Sequence, residues 1–181
     1  MKTSSTGLNH LKQFEGFSAS AYNDVAGLAT IGYGHLIKTN EFHLRSAPIT
    51  KTEALDLLAQ DVKTAENEVN ARVFLTPNQN QFDALVSLVY NIGVGAFASS
   101  TVLKRINLGE NQERVTQAWN MWNKATVNGQ LQVVAGLVNR RKSELELYLE
   151  SSVSNMNQGT GFHRIKSNTI QKLNFWSKMR D

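Results

Sequence analysis

Apolar residues recur at three- and four-residue spacing through most of the chain, a pattern that predicts a largely helical protein. In the first such pattern the apolar positions follow Ser4 and Ser5, which are good helix N-caps. Gly16 supplies a helix stop. We therefore expect a short first helix that ends near Glu15, which places this carboxylate on the last helical turn.

Two longer patterns predict the helices around which the fold is built. Thr50 and Glu53 form a capping box ahead of an apolar face that continues to about Arg72. This predicts one long helix able to connect two lobes. Thr76 is the expected N-cap of the next helix, whose apolar residues cover nearly every side until Gly93. Such a helix belongs at the centre of a helical lobe.

The remaining patterns complete an α+β fold that is mainly helical. Shorter helices are predicted over residues 98–107, 111–124 and 137–150. Residues 18–36 are rich in Gly, Ala, Tyr and Thr, which predicts a small antiparallel sheet. Asn128 and Gly129 are a typical centre for a tight hairpin.

Composition narrows the classes of function. The chain has 181 residues, 41% of them hydrophobic, which suffices for one compact domain of one or two lobes. It has no cysteine, and its four histidines lack the spacing of a metal-binding helix, so we expect no metal and no cofactor. Residues 1–17 lack the apolar run of a secretory signal and no membrane span follows, so we expect cytoplasmic synthesis.

The net charge of +4 is concentrated in the tail. Residues 151–181 contain five basic side chains against Asp181 alone, so the rest of the chain is nearly neutral. Without a basic stripe on the body we expect no binding to nucleic acid. Residues 151–168 are predicted to be a flexible linker. Residues 168–179 form a possible amphipathic helix that either docks on the body of the protein or binds anionic lipid. Its apolar stripe consists of Ile170, Leu173, Trp176 and Met179.

Glu15 is the first candidate for chemistry. It lies between Phe14 and Phe17 at a predicted helix C-terminus, where apolar surroundings and the helix dipole favour the protonated acid. An acid that cleaves a glycosidic bond must still hold its proton at the working pH. A solvated glutamate at a helix end is the alternative interpretation.

Asp24 and Thr30 are the second candidate pair. If the hairpin turns near Gly27, the two residues lie opposite each other with their side chains on one face. A carboxylate and a hydroxyl placed in this way can hold a water molecule, which is the base half of a two-carboxylate glycosidase. Ordinary turn and strand roles for the two residues remain open at this point.

The segment FEGFSASAYNDVAGLATIGYGH resembles the catalytic segment of the phage-type lysozymes, or endolysins, with Glu15, Asp24 and Thr30 at the family's spacing. The resemblance covers about residues 7–150. It continues through LLAQDV at 57–62, QFDALVSLVYNIGVGAFASSTVLKRIN at 81–107, the paired tryptophans, and GLVNRRKSE at 136–144. The loop KATVNGQLQVVAG at 124–136 is longer than the family's usual glycine-rich loop, and the tail lies outside the family pattern.

The resemblance implies a lysozyme-like catalytic domain over residues 1–150. Its small N-terminal lobe, about residues 16–50, would hold a three-stranded antiparallel sheet. A long connecting helix would lead to a larger helical lobe, about residues 73–150 together with the N-terminal helix. Residues 151–181 would follow as an extra basic tail.

The resemblance also implies an activity. The protein would be a muramidase that hydrolyses the β-1,4 bonds between N-acetylmuramic acid and N-acetylglucosamine in bacterial peptidoglycan, with inversion at the anomeric carbon. Glu15 would be the general acid, while Asp24 and Thr30 would position the attacking water. The enzyme would act as a monomer on the cell wall after release through a pore or a delivery system.

Further roles follow from the same match. Four residues would line the substrate groove, although the first two of them fit a core position equally well: Leu36, Tyr90, Asn91 and Ser100. His35 and Asp61 would form a structural ion pair. Arg140 and Arg141 match an arginine pair that would hold the helical lobe together.

Three alternatives stay open. A lytic transglycosylase on the same fold also uses a single glutamate acid, but its reaction needs no positioned water, so Asp24 and Thr30 argue against it. A phage-particle component that has lost turnover would not need all three catalytic positions. A delivered antibacterial effector would have the same enzymology in another biological context.

Overall fold

A computed structural model describes residues 1–24, 27–127 and 129–154, the last four by their backbone alone. Helices dominate this part of the chain, and two small antiparallel sheets interrupt them. In chain order the elements are α1 (Ser5–Glu15), β1 (Ser18–Asn23), β2 (Ala29–Gly32), β3 (His35–Leu36), a 3-10 segment (Thr39–Arg45), α2 (Lys51–Asp61), α3 (Lys63–Arg72), α4 (Gln79–Ile92), α5 (Val94–Ala98), α6 (Thr101–Asn107), α7 (Gln112–Asn120), β4 (Lys124–Val127), β5 (Gln130–Val133) and α8 (Ala135–Ser154).

The first helix begins and ends where the sequence predicts. The Ser4 hydroxyl accepts the backbone N–H of Gly7 at 3.2 Å, which satisfies one of the free donors of the first turn. At the other end Gly16 has a φ of 62°, which side chains rarely adopt. Glu15 is therefore the last residue of α1.

The predicted sheet is confirmed as three antiparallel strands in the order β1-β2-β3. β2 is the buried strand: Ile31 is fully buried and Thr30 is only 3% exposed. β3 pairs with it through Thr30 with Leu36 and Ile31 with His35. The central strand therefore anchors the sheet to the core, while β1 lies at one edge.

The predicted long helix is divided. The capping box at Thr50 and Glu53 forms as expected, but α2 ends at Asp61 and α3 begins at Lys63. Val62 between them has a ψ of −14°, far from the value near −42° of a regular α-helix. Hydrogen bonds on both sides of the break are kept, because the N–H of Val62 still reaches the carbonyl of Leu58. The connection is thus two helices joined by a tightened turn.

The N-cap predicted for α4 is wrong. Asn78, and not Thr76, accepts the backbone N–H of Gln81 at 3.0 Å, and the Gln81 side chain accepts the N–H of Asn78 in return. The helix therefore begins two residues later than the Thr-Pro pair suggests. Its end at Ile92, followed by Gly93, agrees with the prediction.

The shorter helices differ from their predicted bounds. Residues 98–107 divide into α5 and α6, because the Ser100 hydroxyl caps a new helix by accepting the N–H of Leu103. The helix predicted over 111–124 ends at Asn120. The hairpin expected at Asn128 and Gly129 is confirmed in the pairing of β4 with β5.

The last helix is longer than predicted, since α8 continues to Ser154. The predicted linker over 151–168 is therefore wrong for its first four residues, whose backbone is helical. The rest of that linker and the helix expected at 168–179 lie outside the described residues. In the part of the chain that the structure describes, no helix combines the length and apolar character needed to cross a membrane.

The core is centred on α4, which is buried along nearly its whole length. α4 packs most extensively against α8, and α1 and α3 also contact it. The same apolar cluster continues from Trp119 on α7 to Ile31 on β2. Helices from both ends of the described chain therefore meet at α4, which sets α1 and α8 side by side.

We expect Asn78→Ala to destabilise the fold by about 1 kcal/mol, because the backbone N–H of Gln81 in the first turn of the central helix loses its partner. Thr76→Ala should change stability little, since its hydroxyl caps nothing in α4. Urea denaturation of both variants measures the difference. Equal losses in the two variants, or a larger loss for Thr76→Ala, would contradict the observed cap.

Candidate active site

Glu15 lies where α1 meets the sheet. Its side chain is 21% exposed, so the carboxylate can be reached from solvent while most of it is covered. A methyl group built on Gly34, in the turn between β2 and β3, would stand 3.9 Å from Glu15 Oε2. The C-terminal end of α1 therefore presents its carboxylate to the β2–β3 turn.

Arg140 on α8 forms an ion pair with this carboxylate that sequence reasoning missed. Arg140 Nη1 donates to Glu15 Oε1 at 2.7 Å, and the guanidinium also lies over the Phe14 ring, 5.4 Å from its centroid. The Glu15 carboxylate therefore has a charged partner from a distant helix, which the sequence did not indicate.

The two arginines of the matched pair divide their roles. Arg141 is fully buried and bonds within the helical lobe, to the carbonyl of Trp122 and to Asn91 Oδ1 at 2.8 Å. Arg140 also bonds within this lobe, to Glu144, and in addition connects α8 to Glu15. The spacing of Arg140 and Glu144 indicates only the neighbouring pair on α8, since residues four apart on a helix are neighbours, and gives no signal for the contact with Glu15.

The predicted register of Asp24 and Thr30 is wrong in detail. Thr30 pairs directly with Tyr22, because the hairpin is centred one residue earlier than Gly27. The backbone N–H of Asp24 donates to the carbonyl of Leu28 at 2.9 Å, and Asp24 Oδ1 accepts the N–H of Leu28 at 2.8 Å. These bonds close the strand pairing at Asp24 and Leu28.

Asp24 and Thr30 nevertheless converge on the same residue. The Thr30 hydroxyl donates to the carbonyl of Leu28 at 3.1 Å, and the Asp24 carboxylate accepts from its N–H. Asp24 lies two residues beyond Tyr22, so it is the diagonal neighbour of Thr30 instead of its direct partner. The carboxylate and the hydroxyl are thus both bonded to the backbone of one residue, Leu28.

Tyr90 and Asn91 lie at the C-terminal end of α4. Burial, reinforced by the Glu15 carboxylate, raises the pKa of Tyr90 well above its usual range, so its hydroxyl stays neutral. Tyr90 is half-buried and packs against the core. Asn91 is exposed, and its amide oxygen is held by Arg141. Tyr90 is therefore within electrostatic range of Glu15, while Asn91 keeps its amide nitrogen available.

Leu36 and Ser100 have different surroundings. Leu36 ends β3 and is 48% exposed, which excludes a core position. Ser100 is 6% exposed and its hydroxyl caps α6. It borders an open cavity of about 260 Å³ between α5, α6 and the end of α7, which Met121 and Trp122 also line. The hydroxyl of Ser100 is thus already engaged by the protein.

His35 and Asp61 lie in contact, and Glu41 joins them. His35 Nδ1 lies 2.9 and 3.0 Å from the two oxygens of Asp61, and its Nε2 lies 2.9 Å from Glu41 Oε2. An ionised carboxylate only accepts hydrogen bonds, so a ring nitrogen of His35 can bond to it only as a donor. The cluster ties β3, the 3-10 segment and α2 together. The sequence indicated the first two members but not Glu41.

The arrangement suits acid–base chemistry on a polymer. The described residues place a carboxyl group at the end of α1, a second carboxylate and a hydroxyl at the β1–β2 connection, and polar side chains at the end of α4. Among the described residues no cluster of His, Asp and Glu side chains is arranged to hold a metal ion.

Comparison with known proteins points to one family. The sequence profile of the phage lysozyme family matches residues 12–144. The endolysin of Salmonella phage P22 is 39% identical over 150 residues, which are 82% of this chain and 99% of that protein. The endolysin of Bacillus phage PZA is 38% identical over 167 residues, 91% of this chain and 62% of that protein.

Solved structures of similar proteins lead to the same comparison. The endolysin from Escherichia coli O157:H7 phage FAHEc1 is 41% identical and has a TM-score of 0.74, covering 83% of this chain and 95% of that one. The muramidase domain of SpmX from Asticaccaulis excentricus is 40% identical and has a TM-score of 0.73. The match covers 82% of this chain and 97% of that one.

We expect Glu41→Gln to lower the stability by about 1 kcal/mol at neutral pH, since it weakens a charged hydrogen bond to His35. The Lys38 backbone N–H, followed by the His35 side chain, lowers the pKa of Glu41. A carboxyl whose pKa is depressed in the folded state contributes stability above its unfolded pKa and loses it as pH falls through the folded value.

The difference in melting temperature between wild type and Glu41→Gln should therefore be largest above about pH 5 and shrink in more acidic solution. Asp56→Asn, an exposed carboxylate on α2, serves as the matched control. Melting curves between acidic and neutral pH give the comparison. A difference that grows in acid would show that the stabilising form is not the carboxylate.

Proposed function

The chain belongs to the phage lysozyme family, and we propose that Glu15, Asp24 and Thr30 carry out its hydrolytic chemistry. As a member of this family the protein is a glycoside hydrolase, a muramidase of the endolysin type that acts on bacterial peptidoglycan and lyses the cell. The assignment of roles to the three residues is our proposal. Its main support is the position of the Glu15 carboxyl at the junction of α1, the β2–β3 turn and α8.

Glu15 is proposed to be the general acid. Its proton passes to the glycosidic oxygen while the bond from that oxygen to the anomeric carbon breaks. The carboxylate left behind is then paired with the guanidinium of Arg140, which already lies 2.7 Å away. Arg140 thus stabilises the acid more after proton transfer than before it, which is the direction that catalysis requires.

Asp24 and Thr30 are proposed to position the attacking water. The water oxygen bonds to the anomeric carbon and its proton passes to Asp24, so the product has a free reducing end. A water held on the face opposite the acid gives inversion of configuration, and this mechanism needs the two carboxyl groups to stand roughly 6.5–9.5 Å apart. The roles proposed for Asp24 and Thr30 are supported by the loop geometry, in which hydrogen bonds to Leu28 fix both side chains.

The glycan chain is proposed to lie along the rim formed by Leu36, Tyr90, Asn91 and Ser100. The exposed face of Leu36 and the free amide nitrogen of Asn91 support contact with sugar. Ser100 contributes through the cavity that it borders, because its hydroxyl already caps α6. His35 and Asp61 keep a structural role in this proposal.

Glu15→Gln should lower kcat/KM on peptidoglycan by about three orders of magnitude while the protein stays folded, since an amide has no proton to donate. Turbidity clearance of purified cell walls and circular dichroism give the two measurements. Glu146→Gln, the same change at an exposed site of α8, is the matched control. Near wild-type clearance by Glu15→Gln would exclude Glu15 as the acid.

Mass spectrometry of the wild-type digest distinguishes the two chemistries open to this fold. Reducing ends show hydrolysis, whereas anhydro-sugar ends show a transglycosylase. Proton NMR of freshly released fragments reports the anomeric configuration. Retention of configuration would point to a covalent intermediate and remove the water-positioning role of Asp24 and Thr30.

Residues 155–181, which follow the end of α8, are proposed to bind anionic lipid of the bacterial envelope. Their basic side chains and the predicted apolar stripe support this, because cationic amphipathic segments bind such surfaces. The enzyme is further proposed to work as a monomer, since one chain supplies every residue of the proposed site. Cytoplasmic synthesis and release through a pore or delivery system stay predictions.

Truncation after Ser154 should leave the melting temperature unchanged and abolish salt-sensitive binding to vesicles of anionic phospholipid. Activity on soluble peptidoglycan fragments should persist. Vesicle sedimentation at low and high salt and differential scanning calorimetry give the readouts. A lower melting temperature with unchanged vesicle binding would show instead that the tail docks on the enzyme body.

A further inference from the structure

Glu144 on α8 is a fully buried carboxylate that takes no part in the proposed reaction. Its Oε1 accepts from the Ser87 hydroxyl at 2.9 Å, from Arg140 Nε at 3.2 Å and from Arg141 Nη2 at 2.9 Å. Its Oε2 accepts from the indole N–H of Trp119 at 2.9 Å. A buried carboxylate with this many donors is held in one orientation.

Arg140 lies between the two carboxylates and uses different nitrogens for each. Its Nε donates to Glu144 and its Nη1 donates to Glu15. The guanidinium is rigid and planar, so fixing the Nε end also fixes the direction in which Nη1 points. Glu144 therefore determines where the cation next to Glu15 is placed.

The four side chains form a balanced charge cluster. Arg140 and Arg141 contribute two positive charges, and Glu15 and Glu144 contribute two negative ones when both are ionised. Glu144 is enclosed by protein on every side, so water does not screen its charge effectively. Its charge makes it harder for Glu15 to ionise and partly offsets the opposite effect of Arg140.

Resting on the proposed role of Glu15 as the acid, we propose that Glu144 is a positioning residue for catalysis. It holds Arg140 against Glu15 and moderates the field of that cation, so that the acid keeps its proton at working pH and still gains an ion partner after proton transfer. Glu144 touches no reacting atom and acts through Arg140.

The other ionisable groups around the cluster do not account for this effect. His10 on α1 packs near Glu144 and donates to or accepts from Ser143, and burial lowers its pKa, so it is neutral at neutral pH. Tyr90 on α4 stays neutral because burial raises its pKa. Asp83 on α4 is tied to the backbone N–H of Ser4 and acts on His10 at longer range.

The test is the pH dependence of kcat/KM in Glu144→Gln, measured on soluble peptidoglycan fragments and normalised to folded protein. The amide oxygen of this variant can still accept from Arg140 Nε, so the cation stays beside Glu15 while the negative charge that moderates it is lost. The alkaline limb of the profile should move to lower pH by about one unit, so that activity on that limb falls roughly tenfold. Glu146→Gln should leave the limb in place.

Arg141→Gln gives the opposite test within the same cluster. Removing this cation should move the alkaline limb to higher pH, because the charge of Glu144 is then less compensated. If Glu144 serves folding alone, both variants should melt at lower temperature. Their pH profiles of kcat/KM, normalised to folded protein, should then stay unshifted. That result, or shifts of the same sign, would overturn the proposal. If one variant fails to fold, the sign of the shift in the other decides.

A second readout separates this proposal from the assignment of Glu15 as the acid. Carbon-13 NMR of labelled glutamate follows the titration of the Glu15 carboxyl without any turnover. The titration midpoint should fall by about one pH unit in Glu144→Gln relative to wild type. An unchanged midpoint overturns the role of Glu144, whereas full activity of Glu15→Gln overturns the role of Glu15.

Discussion

An arginine shared between two carboxylates joins the two ends of the described chain. Arg140 on α8 pairs with Glu15 on α1 across 125 positions of sequence and with Glu144 one turn further along its own helix. Breaking a buried ion pair such as the one with Glu144 typically costs about 3–5 kcal/mol, because the remaining charge loses its partner. The contact therefore constrains how α1 and α8 lie against α4, and it does so at the residue proposed to start the reaction.

A second ionic cluster has a comparable role in the sheet region. His35 is buried on β3 and bridges Asp61 at the end of α2 and Glu41 in the 3-10 segment. Since the C-terminal end of a helix is its negative pole, a cation beside Asp61 is favourably placed. His35 begins β3 directly after the β2–β3 turn, and Gly34 in that turn faces the Glu15 carboxylate. The position of the proposed acid thus depends on both.

Local patterns were sufficient for most elements of the fold and poor at placing their boundaries. Ser4 and Gly16 marked the ends of α1 correctly, because a cap and a left-handed glycine act within a single turn. The prediction of Thr76 as the N-cap of α4 was wrong. Asn78, two residues later, can also accept a first-turn N–H, and the packing of α4 decides between the two residues. The break at Val62 has no counterpart in the apolar pattern, which continues through it.

The sequence by itself determined the α+β class, the glycine and capping signals, the family, and which side chains are candidates for chemistry, because these depend on residue type and short spacing. Only the tertiary structure decided that Asp24 and Thr30 meet diagonally at Leu28, that Glu41 completes the His35 cluster, and that Arg140 pairs with Glu15. Strand register and ion pairs between distant helices depend on how buried surfaces fit together. That fit is a property of the whole core, so no local window of sequence contains it.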